Sequence, residues 1–221
     1  MIAITAAQLH LLAPNIRAIY AGAFATADAD LAKFAINDTP VRLRHFMAQV
    51  LHESGGFALL WESMNYSGPG LVATWPDRFQ PKGPLDPNAY AHQAEKIGNE
   101  VYGNRMGNGS TDGYLYRGRG LIQTTGKDGY LAATKALRDA YPGQAVPDFV
   151  AIPEALLDPM WCLKVAAAEY QGYGCNGVAD TDTGAPQVTD AALRKITRLI
   201  NGGLIGLSSR AEWLRRVSGV W

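Results

Sequence analysis

The segment TPVRLRHFMAQVLHESGGF, Thr39 to Phe57, decides the fold class and carries the strongest chemical clue in the chain. Thr39 followed by Pro40 supplies an N-cap and a proline at the first helical position, where no backbone donor is lost. Leu43, Phe46, Val50 and Leu51 then recur at helical spacing up to Glu53, and Gly55 and Gly56 stop the helix. Glu53 falls three residues after Val50 and seven after Phe46, so it projects from the apolar stripe. A carboxylate there is either paired or poorly solvated, and it stands at a helix C-terminus, where the dipole disfavours negative charge. Poor solvation and the dipole both push its pKa upward, as a general acid working near neutral pH requires. The plainer reading is a structural glutamate bound to an arginine such as Arg117 or Arg119.

Helical signals dominate the rest of the chain. Thr5-x-x-Gln8 is a capping box. A helix is predicted over Tyr90 to Tyr102, and Asp158-Pro159 opens another that carries Trp161, Val165 and Ala168. Thr189 begins one more, with Leu193, Ile196 and Ile200 turned inward and Gly202 beyond its end, and Ser209-x-x-Glu212 caps the last. Between Ser63 and Pro87, and again between Gly103 and Gly126, glycine, proline and asparagine break any periodicity. Irregular segments of that length are usually functional when ordered. A small hairpin is expected around Tyr114 to Thr124. With no repeat and no low-complexity linker, residues 1–221 read as a single, mainly α domain whose long loops frame a cleft.

Bulk composition narrows the function. The chain has 221 residues, 48% hydrophobic and 18% charged, an ordinary globular balance. No apolar run approaches the roughly 18 residues a membrane helix needs, so no stable membrane insertion is expected. The start, MIAITAAQLHLLAPN, has no basic n-region and no A-x-A site, which predicts synthesis in the cytoplasm without a signal peptide. Twenty basic and twenty acidic side chains cancel, which argues against a nucleic-acid partner bound through phosphate neutralisation. Arg194, Lys195, Arg198, Arg210, Arg215 and Arg216 nonetheless gather near the C-terminus, either as a solvated helical face or as a patch for an anionic polymer. Cys162 and Cys175 are too few for a disulfide scaffold and read as buried free thiols.

Glu62 follows Glu53 by nine positions, beyond the Gly-Gly turn and within WESMNYS. Two carboxyls flanking a bond, one protonated and one ionised, are the minimum equipment for glycoside hydrolysis. An exposed loop glutamate is the plainer reading of Glu62 alone. Other chemistries fail on spacing. HESGG lacks the second histidine of a zincin, GLIQTTGKD has its glycines too far apart for a phosphate loop, and no G-x-S-x-G elbow occurs. His10, His45, His52 and His92 lack metal-ligand spacing, so neither a metal nor another cofactor is expected.

Five segments in order, HESGGF (His52–Phe57), E-x-x-NYS (Glu62–Ser67), EKIGNEVYGNRMGNG (Glu95–Gly109), YRGRGLIQTTG (Tyr116–Gly126) and INGGLIG (Ile200–Gly206), closely resemble family 19 glycoside hydrolases. They are most similar to the branch found in bacteriophage endolysins and related muralytic enzymes. The resemblance implies a lysozyme-like, mainly helical α+β fold and an inverting mechanism. It assigns the general acid to Glu53, the base to Glu62 and the water-holding hydroxyl to Thr125. It places Gln123 and Asn201 along the sugar cleft and Arg210 near the acid, and all three are expected to bind substrate. Tyr66, Trp75, Tyr114 and Tyr116, in the irregular segments, are expected to stack on sugars, with Tyr66 and Tyr116 as substrate-binding residues, whereas Trp161 and Trp213 read as core.

Departures from the family pattern matter. Plant-type chitinases carry an acidic residue after the NGGL segment where this chain has Ile205. They place an asparagine and a tyrosine after the water-holding hydroxyl where this chain has Gly129 and Asp128, and Thr124 stands where leucine is more usual. The leading expectation is therefore a monomeric muramidase without a separate wall-binding module. It would cut peptidoglycan strands between N-acetylmuramic acid and N-acetylglucosamine, accumulating in the host cytoplasm and reaching the periplasm once a holin opens the membrane. A secreted effector with the same chemistry, a chitinase and a non-catalytic glycan-binding protein are the alternatives.

Overall fold

The computed structural model describes residues 1–182 and 191–221. These residues form α1 (Ala6–Leu12), α2 (Ala18–Ala23), α3 (Ala27–Lys33), α4 (Pro40–Glu53), α5 (Gly68–Thr74) and α6 (Ala94–Tyr102) in the first half. The second half contributes α7 (Gly126–Ala140), α8 (Cys162–Gly172), α9 (Cys175–Ala179), α10 (Ala191–Asn201) and α11 (Leu207–Val217). The mainly helical fold class is as the periodicity predicts.

The capping signals act as expected at two helix starts. Thr5 and Gln8 form a complete capping box on α1, and Thr39 Oγ1 accepts from the Arg42 amide at the head of α4, with Pro40 in its first turn. At the other end of α4, Gly55 and Gly56 adopt positive φ, and the Gly56 amide donates back to Leu51 O at 2.7 Å. That closure leaves Glu53 as the last helical residue.

α4 is the central element. Leu43, Phe46, Met47, Val50 and Leu51 are fully buried, and α11 packs along it. Phe46 meets Tyr170 of α8 edge-on, with ring centroids 5.3 Å apart, and α7 packs against α8. A second, smaller apolar cluster of Met64, Leu71, Phe79, Ile97 and Val101 lies beneath α5, α6 and the long loops.

Four element boundaries differ from the sequence expectation. The helix expected over Tyr90 to Tyr102 is shorter: a 3₁₀ turn at Pro87–Ala89 and a left-handed His92 come before it, and α6 begins only at Ala94. Asp158 instead caps a turn: its carboxylate accepts from the Met160 amide, and α8 starts at Cys162. Ser209 lies inside α11, which starts at Leu207; its hydroxyl meets His52 Nδ1 at 2.9 Å, and Glu212 pairs with Arg215 at 2.6 Å. The hairpin at Tyr114–Thr124 reduces to isolated bridges, Trp61 with Arg119 and Arg119 with Thr124, because the glycines flanking Arg119 bend the chain away after one rung. The expected cap Thr189 lies outside the described residues.

The C-terminal cations are divided among different tasks. Arg210 is buried, Arg215 is held by Glu212, and Arg216 donates to Leu12 O while lying 4.1 Å from the Trp213 ring centre. Arg194, Lys195 and Arg198 remain as the basic side chains of α10.

Candidate active site

Glu53 ends α4 at the rim of a cleft of about 570 Å³, its side chain 15% exposed. Its partner is Arg210 from α11, a fully buried guanidinium that donates to Glu53 Oε1 with one nitrogen and to Gln49 Oε1 with another. The pairing on α4 and α11 corrects two expectations. Glu53 is bound neither by Arg117, which lies over the Tyr114 ring, nor by Arg119, which donates to Glu154 at 2.6 Å and Tyr130 at 2.7 Å. Arg210 does not line the cleft for substrate either, because its head group is consumed inside the protein. His52, beside Glu53, is pushed down to about 4 by burial first and then by the Arg210 charge, so its imidazole is neutral near pH 7.

Glu62 reaches the same cleft from the loop after Gly56. Its position follows from the backbone: its amide donates to Gly118 O at 2.9 Å, and the Gly120 amide donates to Leu60 O at 2.9 Å. Burial raises the Glu62 pKa above the ordinary carboxylate range. Tyr102, the Gly118 backbone and the Arg117 charge each oppose that rise. The Tyr102 hydroxyl, at the end of α6, lies within hydrogen-bond distance of both carboxyl oxygens. Burial and the neighbouring Glu62 raise the phenol in turn, so Tyr102 stays a neutral donor.

The floor of the cleft is the turn that contains Gln123, Thr124 and Thr125. Thr125 Oγ1 donates to Gln123 O at 2.8 Å, which leaves its lone pairs for an incoming O–H. Gly118 keeps this floor open: a Cβ there would stand 2.9 Å from Gln123 Oε1 and 3.2 Å from Thr125 Oγ1. Asn201, at the end of α10, also lines the cleft, as do Gly129, Ile200 and Met106. Thr124 also lines the cleft and donates to Glu169 Oε1 of α8, another lining residue, at 2.7 Å. Burial pushes Glu169 up to about 7.

Glu53, Glu62, Thr125, Gln123 and Asn201 thus meet in one cleft, but the expected aromatic platforms do not. Tyr116 is buried, its hydroxyl donating to Val150 O and its ring against Tyr130, because the main core needs that ring as filling. Tyr66 packs edge-on against Trp75 in the second cluster, and Tyr114 packs there too. Tyr66 is close enough to Glu62 to feel its charge, yet it does not line the cleft. Sequence reasoning missed Tyr102 and Glu169. A signal existed for Glu169, a lone glutamate in the apolar run VAAAEY, the same anomaly that marks Glu53. Cys162 and Cys175 are buried thiols pushed up to about 12, unsuited to nucleophilic work. Among the described residues no group of three or more His, Cys, Asp or Glu side chains is placed to hold a metal ion.

The cleft therefore holds one carboxyl under an arginine, one under a tyrosine, one held by a threonine hydroxyl, and an acceptor hydroxyl on its floor. No protein-family model matches the chain. Chitinase C from Streptomyces griseus superposes with a TM-score of 0.57 at 18% identity, over 99% of this chain and 92% of that one. A bacterial family 19 chitinase superposes at 0.51 and 19% identity, over 98% of this chain and 95% of that one. These likenesses show a shared fold. A Haemophilus influenzae protein described as a glycosyl hydrolase family 19 domain-containing protein is 40% identical over 174 residues, 77% of this chain and 75% of that one. With that degree of identity across most of both proteins, the chain belongs to glycoside hydrolase family 19 and is a glycoside hydrolase.

Proposed function

We propose that this hydrolase cleaves the β-1,4 bond between N-acetylmuramic acid and N-acetylglucosamine in peptidoglycan, with inversion at the anomeric carbon. The observation that carries the reading is that Glu53, Glu62 and Thr125 line one cleft while Glu53 and Glu62 have unlike partners. Glu53 gives its proton to the leaving glycosidic oxygen as the bond to the anomeric carbon breaks. Arg210 stabilises the carboxylate that forms as the proton departs. Glu62 takes a proton from the water attacking the opposite face, and that water donates its second hydrogen to Thr125 Oγ1. Bulk water then reprotonates Glu53 and deprotonates Glu62, so one water is consumed and no covalent intermediate forms.

Two features support a branched substrate over chitin. Gly129 gives the cleft lining no side chain where plant-type chitinases carry asparagine, which leaves room for a lactyl-peptide stem. Ile205, 78% exposed, stands where those enzymes place an acid, so a negative charge that would repel stem carboxylates is missing. The resemblance of the five motifs to phage lysis enzymes supports a role in host-cell lysis, with the protein made in the cytoplasm and released to the wall through a holin lesion. Mass spectrometry of fragments released from purified Gram-negative peptidoglycan tests the reading. Muropeptides with reducing N-acetylmuramic acid ends and intact stems are expected. Reducing N-acetylglucosamine ends would move the cut to the other bond, and release from chitin alone would replace the muramidase by a chitinase. Glu53→Gln should lower turnover by about 10²–10⁴-fold in the same assay.

A further inference from the structure

α8 is a buried, alanine-rich helix, yet it presents Glu169 to the cleft and, one turn on at its C-cap, Tyr173, 46% exposed. The hydrolytic step uses neither. Glu169 Oε1 accepts from Thr124, while Oε2 has no partner among the described residues and is not sealed from the cleft. No lysine or arginine pairs with this carboxyl among the described residues. A poorly solvated carboxyl without a cation is a net cost to folding, and Thr124 satisfies only one of its oxygens. An open polar atom beside an exposed ring, on the wall of a cleft that takes sugars, is the usual make-up of a carbohydrate contact.

We propose that Thr124, Glu169 and Tyr173 form a sugar subsite on the α8 wall of the cleft. The Tyr173 ring lies on a pyranose face, and the Glu169 carboxyl bonds to a hydroxyl or N-acetyl oxygen of the same sugar. The side-chain chemistry fits. With burial holding Glu169 up to about 7, below that pH it is a carboxylic acid that donates through one oxygen and accepts through the other. The titratable and charged groups sharing the cleft with it are Tyr173 on its own helix, Glu62 with Tyr102, and Glu53 with Arg210. A neutral acid adds no further negative charge beside those two carboxyls. Tyr173, pushed up to about 12 by burial and then by Glu169, remains a neutral phenol. The pairing also accounts for Thr124 in place of the family's usual leucine, since leucine would leave Oε1 without its donor.

This inference rests on the reading of the chain as a glycan hydrolase, and steady-state kinetics on soluble peptidoglycan strands, with chitohexaose in parallel, separate the two. E169A and Y173A should each raise KM about tenfold, the scale of one lost net interaction, with the loss falling on KM rather than kcat. E169Q, which keeps a donor and an acceptor, should recover most of the E169A loss. The double variant T124L/E169L replaces the polar pair by an apolar one; it should melt no lower than the wild type and still show the raised KM. Wild-type KM in E169A, in Y173A or in T124L/E169L would overturn the subsite, as would a loss confined to kcat. A wild-type chain inactive on both glycans would instead remove the hydrolase reading, and the subsite with it.

Discussion

The hydroxyl of Tyr102 lies 3.0 Å from Oε2 and 3.1 Å from Oε1 of Glu62, spanning the carboxylate from the end of α6. One hydroxyl carries one proton, so it donates to the two oxygens in turn and favours the ionised carboxyl over the neutral one. Burial acts the other way and wins, leaving the Glu62 pKa raised. The base role proposed for Glu62 needs the ionised carboxyl, so activity is expected to be lost as pH falls through that raised pKa. Tyr102 therefore widens the working range on its acidic side.

Tyr102→Phe removes the donor and leaves the ring in place. The acid limb of the kcat–pH profile should move to higher pH by about one unit, with kcat on the alkaline side of that limb nearly unchanged. A limb that stays where it is would mean that Tyr102 has no part in setting the protonation of Glu62.

The Arg210 guanidinium is buried between Gln49 and Glu53, so its removal strands two polar partners. Arg210→Met should cost about 3–5 kcal/mol in urea unfolding, the usual range for breaking a buried ion pair from one side. Adding Glu53→Gln should be far from additive, because the amide no longer needs a cation. Simple additivity of the two losses would show that the pair is not coupled.

Much of this arrangement was legible in the sequence, for identifiable reasons. Thr39-Pro40 and the Gly-Gly stop are local signals, and they bound α4 and put Glu53 at its end. The partner of Glu53 has no local signal, since Arg210 is 157 residues away and no periodicity relates the two; only the family resemblance put it near the acid. Local signals also misled where tertiary contacts compete. Ser209-x-x-Glu212 has the form of a capping box, but Ser209 is drawn to His52 and Glu212 to Arg215. Tyr116 and Tyr66 sit in loop-like sequence, yet the two apolar clusters take their rings as filling. An aromatic residue in an irregular segment fits a buried pocket as well as a sugar face, and the one-dimensional pattern does not distinguish them.

Thr125 directs its own proton to Gln123 O, so in the proposed mechanism it acts as an acceptor that orients the attacking water. Thr125→Ala should lower kcat by roughly 10–100-fold with little change in KM, because a misplaced water is slow rather than absent. Thr125→Ser keeps the oxygen and should restore most of the rate. A serine variant as slow as the alanine one would assign the methyl group, and hence packing, as the part that matters.

The remaining carboxyl of the cleft makes a prediction about stability. Glu169 sits near 4.5 in an unfolded chain and near 7 in the folded one, so between those values the folded state binds the extra proton. Its contribution to stability is complete below about 4.5 and disappears as pH rises through about 7. Glu62, raised in the same direction, contributes with the same sign, whereas His52, lowered to about 4, makes the fold weaker as pH falls below its unfolded value. These opposing slopes obscure the Glu169 contribution in the wild type alone, but the difference from Glu169→Gln cancels both. Relative to that variant, the wild type should lose on the order of 1 kcal/mol per pH unit between pH 5 and 7, an upper figure because the side chain is partly open to the cleft. Urea unfolding of the two proteins at half-unit steps measures it. Parallel stability curves over that range would show that the folded protein does not hold Glu169 as an acid, and the donor assigned to the α8 wall would then be an acceptor only.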